Sequence, residues 1–471
     1  MRVSSGPVGR GPHGPNRRDV MRFGSVALAS AALGPLSGHR ARGADRTTND
    51  PAVIFVWLPG GPPHQDTFDM KPDAPAEYRG AFRPVQTNVN GVQICEHLPR
   101  LATVADKFAL VRSVAHKFAD HGGGHKRFLT GRDPKEATGF VNDAPMVGSM
   151  VAEVLKGKKA PVPNYIAGVD GGRQNIDVFS FGSAYLGPQS HPLFVVGDPA
   201  DKKFEVKNLS ALPGTEGTLA DRVGLLNRFD TPLRGPDPAG RADGMTAARN
   251  RALDLITTGT AKTAFDLTRE SEKTRHRYGM HRYGQRALLA RRLVEAGATW
   301  VTMVLENATP PGEPLKKDHT YNWDSHAVNC HIFEDTRYKL GFLDQAISAL
   351  IEDLYARGLN KRVLLVVTGE FGRTPKIEYS VGTQTGVKQP GRDHWPQAQS
   401  VLVSGACKTG ITVGSTTAKA EVPKDRPLTP NDLWATVFHH LDIDAHGTSF
   451  LDGTGRPMPM LPYGDVIGEL V

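Results

Sequence analysis

Thirteen residues, Val363 to Pro375, constrain this chain more than any other stretch: VLLVVTGEFGRTP. Five apolar residues in a row, with β-branched ones prominent, read as a strand buried on both faces, and it runs straight into a polar turn carrying Glu370 and Arg373. In an open parallel sheet the crevice lies outside the carboxyl ends of the strands. A carboxylate placed there meets a cavity, whereas the same group mid-strand would carry an uncompensated burial cost. The segment ahead of the strand supplies a helix. Ile332, Phe333, Leu340, Leu343, Ile347, Leu350, Ile351 and Leu354 follow helical spacing, and Gly358 stands where a helix stops. Helix, glycine, strand and acidic turn make half of a parallel crossover unit.

The same grammar recurs along the chain. Buried-strand runs are predicted at 52–58, 108–114, 165–169, 193–196, 299–305 and 398–404, a helix is expected around 98–107, and 428–438 reads as a capped helix with Pro430 and Asp432 near its start. Polar residues gather after several of these strands. The first ends in PGGPPHQDTFD, which delivers His64, Asp66 and Asp69, although short polar side chains also form ordinary turns. After the second come His116, His121 and His125, with a glycine triplet between the last two that is expected to let the backbone bend tightly, and Lys126 and Arg127 beside them. This window reads equally as a solvated basic loop or as imidazoles facing a metal and cations facing an anion. Asp324 and His326 lie two apart, which in an extended segment puts both side chains on one side. His394 lies between Glu370 and the last strand. Asp66, His121 or His125, Asp324, His326, Glu370 and His394 together describe a metal site, expected to be binuclear. Their mixed nitrogen and oxygen donors favour zinc or manganese, with calcium less favoured because imidazole is a poor calcium ligand.

The first 43 residues are expected to stand outside the fold. Arg17 and Arg18 precede an apolar run from Phe23 to Leu36, the layout of a twin-arginine export signal, and the run is too short to span a membrane. That segment holds seven Arg and one Asp, a net of +6, so about +2 of the chain's +8 belongs to the remainder. The high isoelectric point is therefore a property of the leader and carries no nucleic-acid inference. A periplasmic or extracellular protein of residues 44–471 is expected, with no membrane span once the leader is removed and a surface insertion at 199–245. The three cysteines, Cys95, Cys330 and Cys407, are too few and too scattered for a disulfide framework or a cysteine zinc site.

The leader, WLPGGPPHQDTFDMKP (57–72), LTG (129–131), WDSH (323–326), TGEFGRTP (368–375), GRDHW (391–395) and the NDLWATVFHHLDI to GRP ending resemble the bacterial family called domain of unknown function 1501, frequent in planctomycetes. That family is grouped with alkaline phosphatases and sulfatases. The resemblance implies a doubly wound α/β sandwich with a mostly parallel central sheet and metals at its carboxyl edge. It places Glu370 at the position of a metal-binding acid, with Phe371 replacing a ligand. Asp66 takes the place of the acid after the first strand, Asp324 and His326 that of an aspartate-histidine pair, and His394 that of a late histidine. Counting back from Leu129-Thr130-Gly131-Arg132 puts His121 where sulfatases carry the cysteine that becomes formylglycine, and no Cys-x-Pro/Ala-x-Arg occurs in the chain.

The function expected on these grounds is an exported, metal-dependent hydrolase of phosphate or sulfate esters. Asp66, Asp324, His326, Glu370 and His394 would hold one or two divalent ions, and a metal-activated hydroxide would attack an anionic small-molecule or polysaccharide ester. Arg373 and Lys126 would offset developing charge, and His121 or His125 would serve as a further ligand or as proton donor to the leaving group. The alternative from another class is a non-catalytic exported metal-binding protein that binds polysaccharide or a cell-surface partner.

Overall fold

The computed structural model of the chain describes residues 48–471, except 159, 171–179, 311 and most of 207–258. The expected leader and most of the stretch expected as a surface insertion, 199–245, lie outside the described residues.

Eight strands form the central sheet: β1 (Ala52–Trp57), β2 (Phe108–Val114), β3 (Tyr165–Val169), β4 (Leu193–Val196), β5 (Trp300–Val304), β6 (Val363–Thr368), β7 (Gln399–Gly405) and β8 (Ile411–Val413). Their spatial order is β8-β2-β7-β6-β1-β5-β3-β4. All neighbours pair parallel except β7, which runs antiparallel between β2 and β6. The strand order turns back on itself around β1 in the middle of the sheet, with β6 on one side and β5 on the other. The doubly wound, mostly parallel α/β fold expected from the sequence is thus the fold observed.

β1 shows why its residues form a central strand. Ala52, Ile54 and Val56 enter one apolar cluster and Val53, Phe55 and Trp57 the other, so the pleat buries both faces. The first cluster is capped by helices α3 (Arg282–Glu295) and α4 (Ile332–Ala356), through residues such as Leu288, Leu340 and Ile347. The second is capped by α1 (His121–Thr130), α2 (Val147–Val154) and α5 (Pro430–His440), where Trp57, Phe128 and Trp434 pack ring against ring at 5.5 and 5.6 Å. Helices on both faces make three layers around one sheet. At α5 the predicted cap is present as a full capping box between Thr429 and Asp432.

Two local readings differ. The 98–107 stretch, expected as one helix, is a short α-turn at Pro99–Ala102 followed by a 3-10 turn at Ala105–Lys107. The glycine triplet at 122–124, expected to let a loop bend, sits instead in the first turn of α1. Its role is packing: a Cβ on Gly122 would lie 2.3 Å from the carbonyl oxygen of Gly139, and one on Gly123 2.4 Å from that of Ala137. Only bare backbone lets the start of α1 come this close to the 137–139 turn. All three cysteines are free, and among the described residues no helix is long and apolar enough to cross a membrane.

Candidate metal centre

Sheet direction decides which residues meet. β1, β2, β5 and β6 end at the same edge, and antiparallel β7 begins there. Glu370 follows β6, the loop after β2 enters α1 with His121 and His125, the loop after β5 carries Asp324 and His326, and His394 precedes β7. His121 and His125 are one helical turn apart and so share a face of α1. Asp120 caps that helix, its carboxylate accepting from the Gly122 amide at 2.9 Å.

The loop bearing Asp324 is tied down by side chains of α4. Lys339 pairs with Asp335 at 2.6 Å inside the protein and donates to the Asn322 carbonyl at 2.5 Å, while Asp335 accepts from the Thr320 amide at 3.1 Å. Buried Trp323 donates from its indole to the Leu305 carbonyl at 2.7 Å, and its amide donates to the Pro59 carbonyl at 2.8 Å. Asn329 donates to Asp324 Oδ2 at 3.1 Å, which leaves Oδ1 facing the histidines. Glu370 is fixed from the β1 side. Gly60, whose φ of +104° suits glycine, donates its amide to Glu370 Oε1 at 2.8 Å.

Two donor sets result. In the first, His121 Nε2, His326 Nε2 and His394 Nε2 stand 3.3, 2.9 and 3.2 Å from Asp324 Oδ1, and the His326 and His394 nitrogens are 2.8 Å apart. In the second, Glu370 Oε1 lies 2.8 Å from His121 Nδ1 and 3.3 Å from His125 Nε2. Around zinc with bonds of 2.0 to 2.1 Å, tetrahedral ligand atoms stand roughly 3.3 Å from one another. Separations of 2.8 to 3.3 Å fit that spacing. Both sets also hold unspent capacity, because His121 Nε2 and Glu370 Oε2 are buried with no hydrogen-bond partner. These residues therefore fit a divalent cation.

Electrostatics agree with the geometry. Burial alone would raise the Asp324 and Glu370 carboxyls, but the surrounding imidazoles, with Arg373 beside Asp324, hold both well below the usual range. Burial pulls His121 down, yet the Asp324 and Glu370 carboxylates beside it outweigh that and hold the ring up to about 9. With no cation present His121 carries the proton that a metal would displace. Burial lowers His394, and Asp324 offsets part of that.

Three expected roles do not survive. Asp66 is not brought to the cluster: its carboxylate is occupied by the Arg392 guanidinium at 2.8 and 3.2 Å, both side chains are fully buried, and Arg392 also donates to the Tyr78 carbonyl at 2.8 Å. Lys126 does not face an anion, because its ammonium donates to the Glu136 and Thr138 carbonyls at 2.9 and 2.8 Å. Arg373 is wholly buried and spends its donors on the protein. Nε donates to Gly61 O at 2.9 Å, Nη1 to Arg392 O at 3.2 Å, and Nη2 to Asp324 Oδ1 at 2.8 Å and to the Gly60 carbonyl. It positions Asp324 and the 60–61 turn.

Sequence reasoning missed Asp393 and Arg392. Asp393 Oδ1 lies 3.3 Å from His326 Nδ1, orienting the far nitrogen toward the cluster. Its adjacency to His394 was the available signal. Nothing in the sequence marks Arg392 as the partner of Asp66, 326 positions away. Phe371, read as replacing a ligand, lays its ring against His394 and His121 at centroid distances of 4.7 and 5.4 Å.

The family described as Protein of unknown function (DUF1501) matches residues 50–471. No curated protein matches the chain. Among solved structures, the alkaline phosphatase from the Antarctic bacterium TAB5 is similar at 10% identity and a TM-score of 0.34, covering 85% of this chain and 100% of its own. A lipoteichoic acid synthase from Listeria monocytogenes gives 10% and 0.36, over 89% and 76% of the two chains. A phosphonate monoester hydrolase from Silicibacter pomeroyi gives 13% and 0.32, over 89% and 75%. Likeness of this degree says nothing of the chemistry at the cluster.

Proposed function

The chain belongs to the DUF1501 family, and from that premise we propose that it is a metal-dependent hydrolase of phosphate or sulfate esters. One observation carries the reading: three imidazole nitrogens from three separate segments converge on one carboxylate oxygen, at the edge of an α/β sheet where ligands bind. His121, Asp324, His326 and His394 would hold one ion, and His125, Glu370 and His121 offer donors for a second. A bound zinc or manganese ion would polarise an ester oxygen and make a water acidic near neutral pH.

The chain's own residues prepare the site for that chemistry. Arg373 holds Asp324 Oδ1 in place, and Asp393 fixes the ring of His326. Phe371 covers one side of His121 and His394 with an apolar ring, which keeps water off that side and strengthens the electrostatics within. His121, in the place that the resemblance gives to a covalent nucleophile, carries two nitrogens already directed at carboxylates. Direct attack by water, in a single displacement, is the course this arrangement favours.

The test is a metal assay with a substrate panel on residues 44–471. About two equivalents of transition metal are expected by mass spectrometry. Hydrolysis of at least one phosphate or sulfate ester should stop on chelation and return with zinc or manganese. Full metal with no turnover across the panel would favour the alternative, a protein that uses the site to bind polysaccharide or a surface partner. No metal, and none taken up, would remove the basis of the reading.

We further propose export by the twin-arginine route. Changing Arg17 and Arg18 to lysine should leave the precursor in the cytoplasm, and undiminished export would point to another route.

A further inference from the structure

His121 is the one side chain that belongs to both donor sets. Its Nε2 lies 3.3 Å from Asp324 Oδ1 and its Nδ1 2.8 Å from Glu370 Oε1, so the two nitrogens face different carboxylates. The ring is fixed in that attitude. It springs from the first residue of α1, whose glycine-only first turn is pressed against the 137–139 turn, and it is flanked by His394 at 4.2 Å and Phe371 at 5.4 Å between centroids. Without His121 the second set has two ligands, His125 and Glu370, fewer than the three that catalytic zinc sites keep. The first set without it would have three.

We propose that His121 bridges two divalent ions as an imidazolate, Nε2 completing the set around Asp324 and Nδ1 the set around Glu370. Two metal–nitrogen bonds form, both ring N–H protons leave to solvent, and no electron changes hands. The inference rests on the metal-binding half of the reading above and goes beyond it by making the His121 ring the covalent link between the two ions. An imidazole ring is a longer link than a single oxygen atom. It would therefore hold the ions farther apart than the ~3.5–4 Å of two-metal sites that clamp one phosphoryl group. The competing account is a protonated ring donating to both carboxylates. It explains the two distances of His121, but leaves Glu370 Oε2 buried without a partner.

Copper distinguishes the two, since Cu(II) takes imidazole readily and carries one unpaired electron. The metal-free mature chain is titrated with Cu(II), bound copper is counted, and the paramagnetic resonance signal is integrated. A bridged pair couples antiferromagnetically, so two bound coppers should give far less than two spins. In His125→Ala, which spares the first set, one copper with its full spin is expected. In His121→Ala the coupling should vanish, with circular dichroism confirming the fold. Two coppers with two full spins in the wild type would overturn the bridge and leave the metal site standing. Saturation at a single copper would overturn the bridge as well. No bound copper would sink both this inference and the metal-dependent reading.

Discussion

Replacing Asp324 by alanine is expected to remove about one equivalent of metal and to lower ester hydrolysis on the order of 10³-fold. The oxygen that disappears is the point on which His121, His326 and His394 converge, at 2.9 to 3.3 Å. Its loss also frees the buried Arg373 guanidinium, 2.8 Å away, to press its charge against those rings. Asparagine at 324 keeps the shape and an oxygen but not the charge, so it should retain more metal than alanine. Metal analysis of the two variants beside the wild type decides the matter. Full metal retention in Asp324→Ala would show that the histidines alone hold the ion, and that this acid serves only to position them.

The second large effect lies outside the centre. Asp66→Ala should destabilise the fold by about 3–5 kcal/mol while leaving metal content at the wild-type level, because it strands the Arg392 charge in a fully buried place. Burial pushes the Asp66 carboxyl up, and Arg392 offsets this only in part. The ionised pair is therefore costly to bury and far costlier to break. Urea unfolding of Asp66→Ala, and of Asp66→Ala with Arg392→Met, measures the difference. The double variant should recover part of the loss, since it removes the unpaired charge. A single variant that unfolds normally but lacks metal would return Asp66 to the ligand set.

Those two aspartates mark the limit of what the residues reveal on their own. Both follow predicted central strands, and both are acids in polar turns rich in glycine, proline or aromatic neighbours. Asp324 has a His two places on and Asp66 has one two places before it, a spacing that puts both side chains on one side only where the chain is extended. Residues His64 to Asp66 form a 3-10 turn instead, His64 Nε2 meets the Ala420 carbonyl at 2.9 Å, and the partner of Asp66 lies 326 residues away. Lys126 and Arg373 fail for a similar reason. A cation's tether is visible in sequence, but the direction of its long side chain is set by whichever carbonyls the fold leaves unsatisfied, here those of Glu136 and Thr138 for one and Gly60 and Gly61 for the other. The pair His121 and His125 was half legible. Spacing by four is a helical signal, but the glycine triplet between them masked it, because glycine's low helix propensity is overridden where no side chain fits.

The sequence by itself determined the strands, the sandwich and the edge at which polar residues collect. Continuous apolar runs have no place to go except the middle of a sheet covered on both faces, and the turns that follow them must carry the polar groups. Tertiary structure alone decided which of those groups meet in one cluster. That depended on β7 running against its neighbours, which brings His394 to the same edge as Glu370 and Asp324, and on Arg392 reaching back to occupy Asp66. Periodicity records how each segment is buried, but the pairing of charges across hundreds of residues is settled only when desolvation leaves each buried group to find whichever partner the packing has placed beside it.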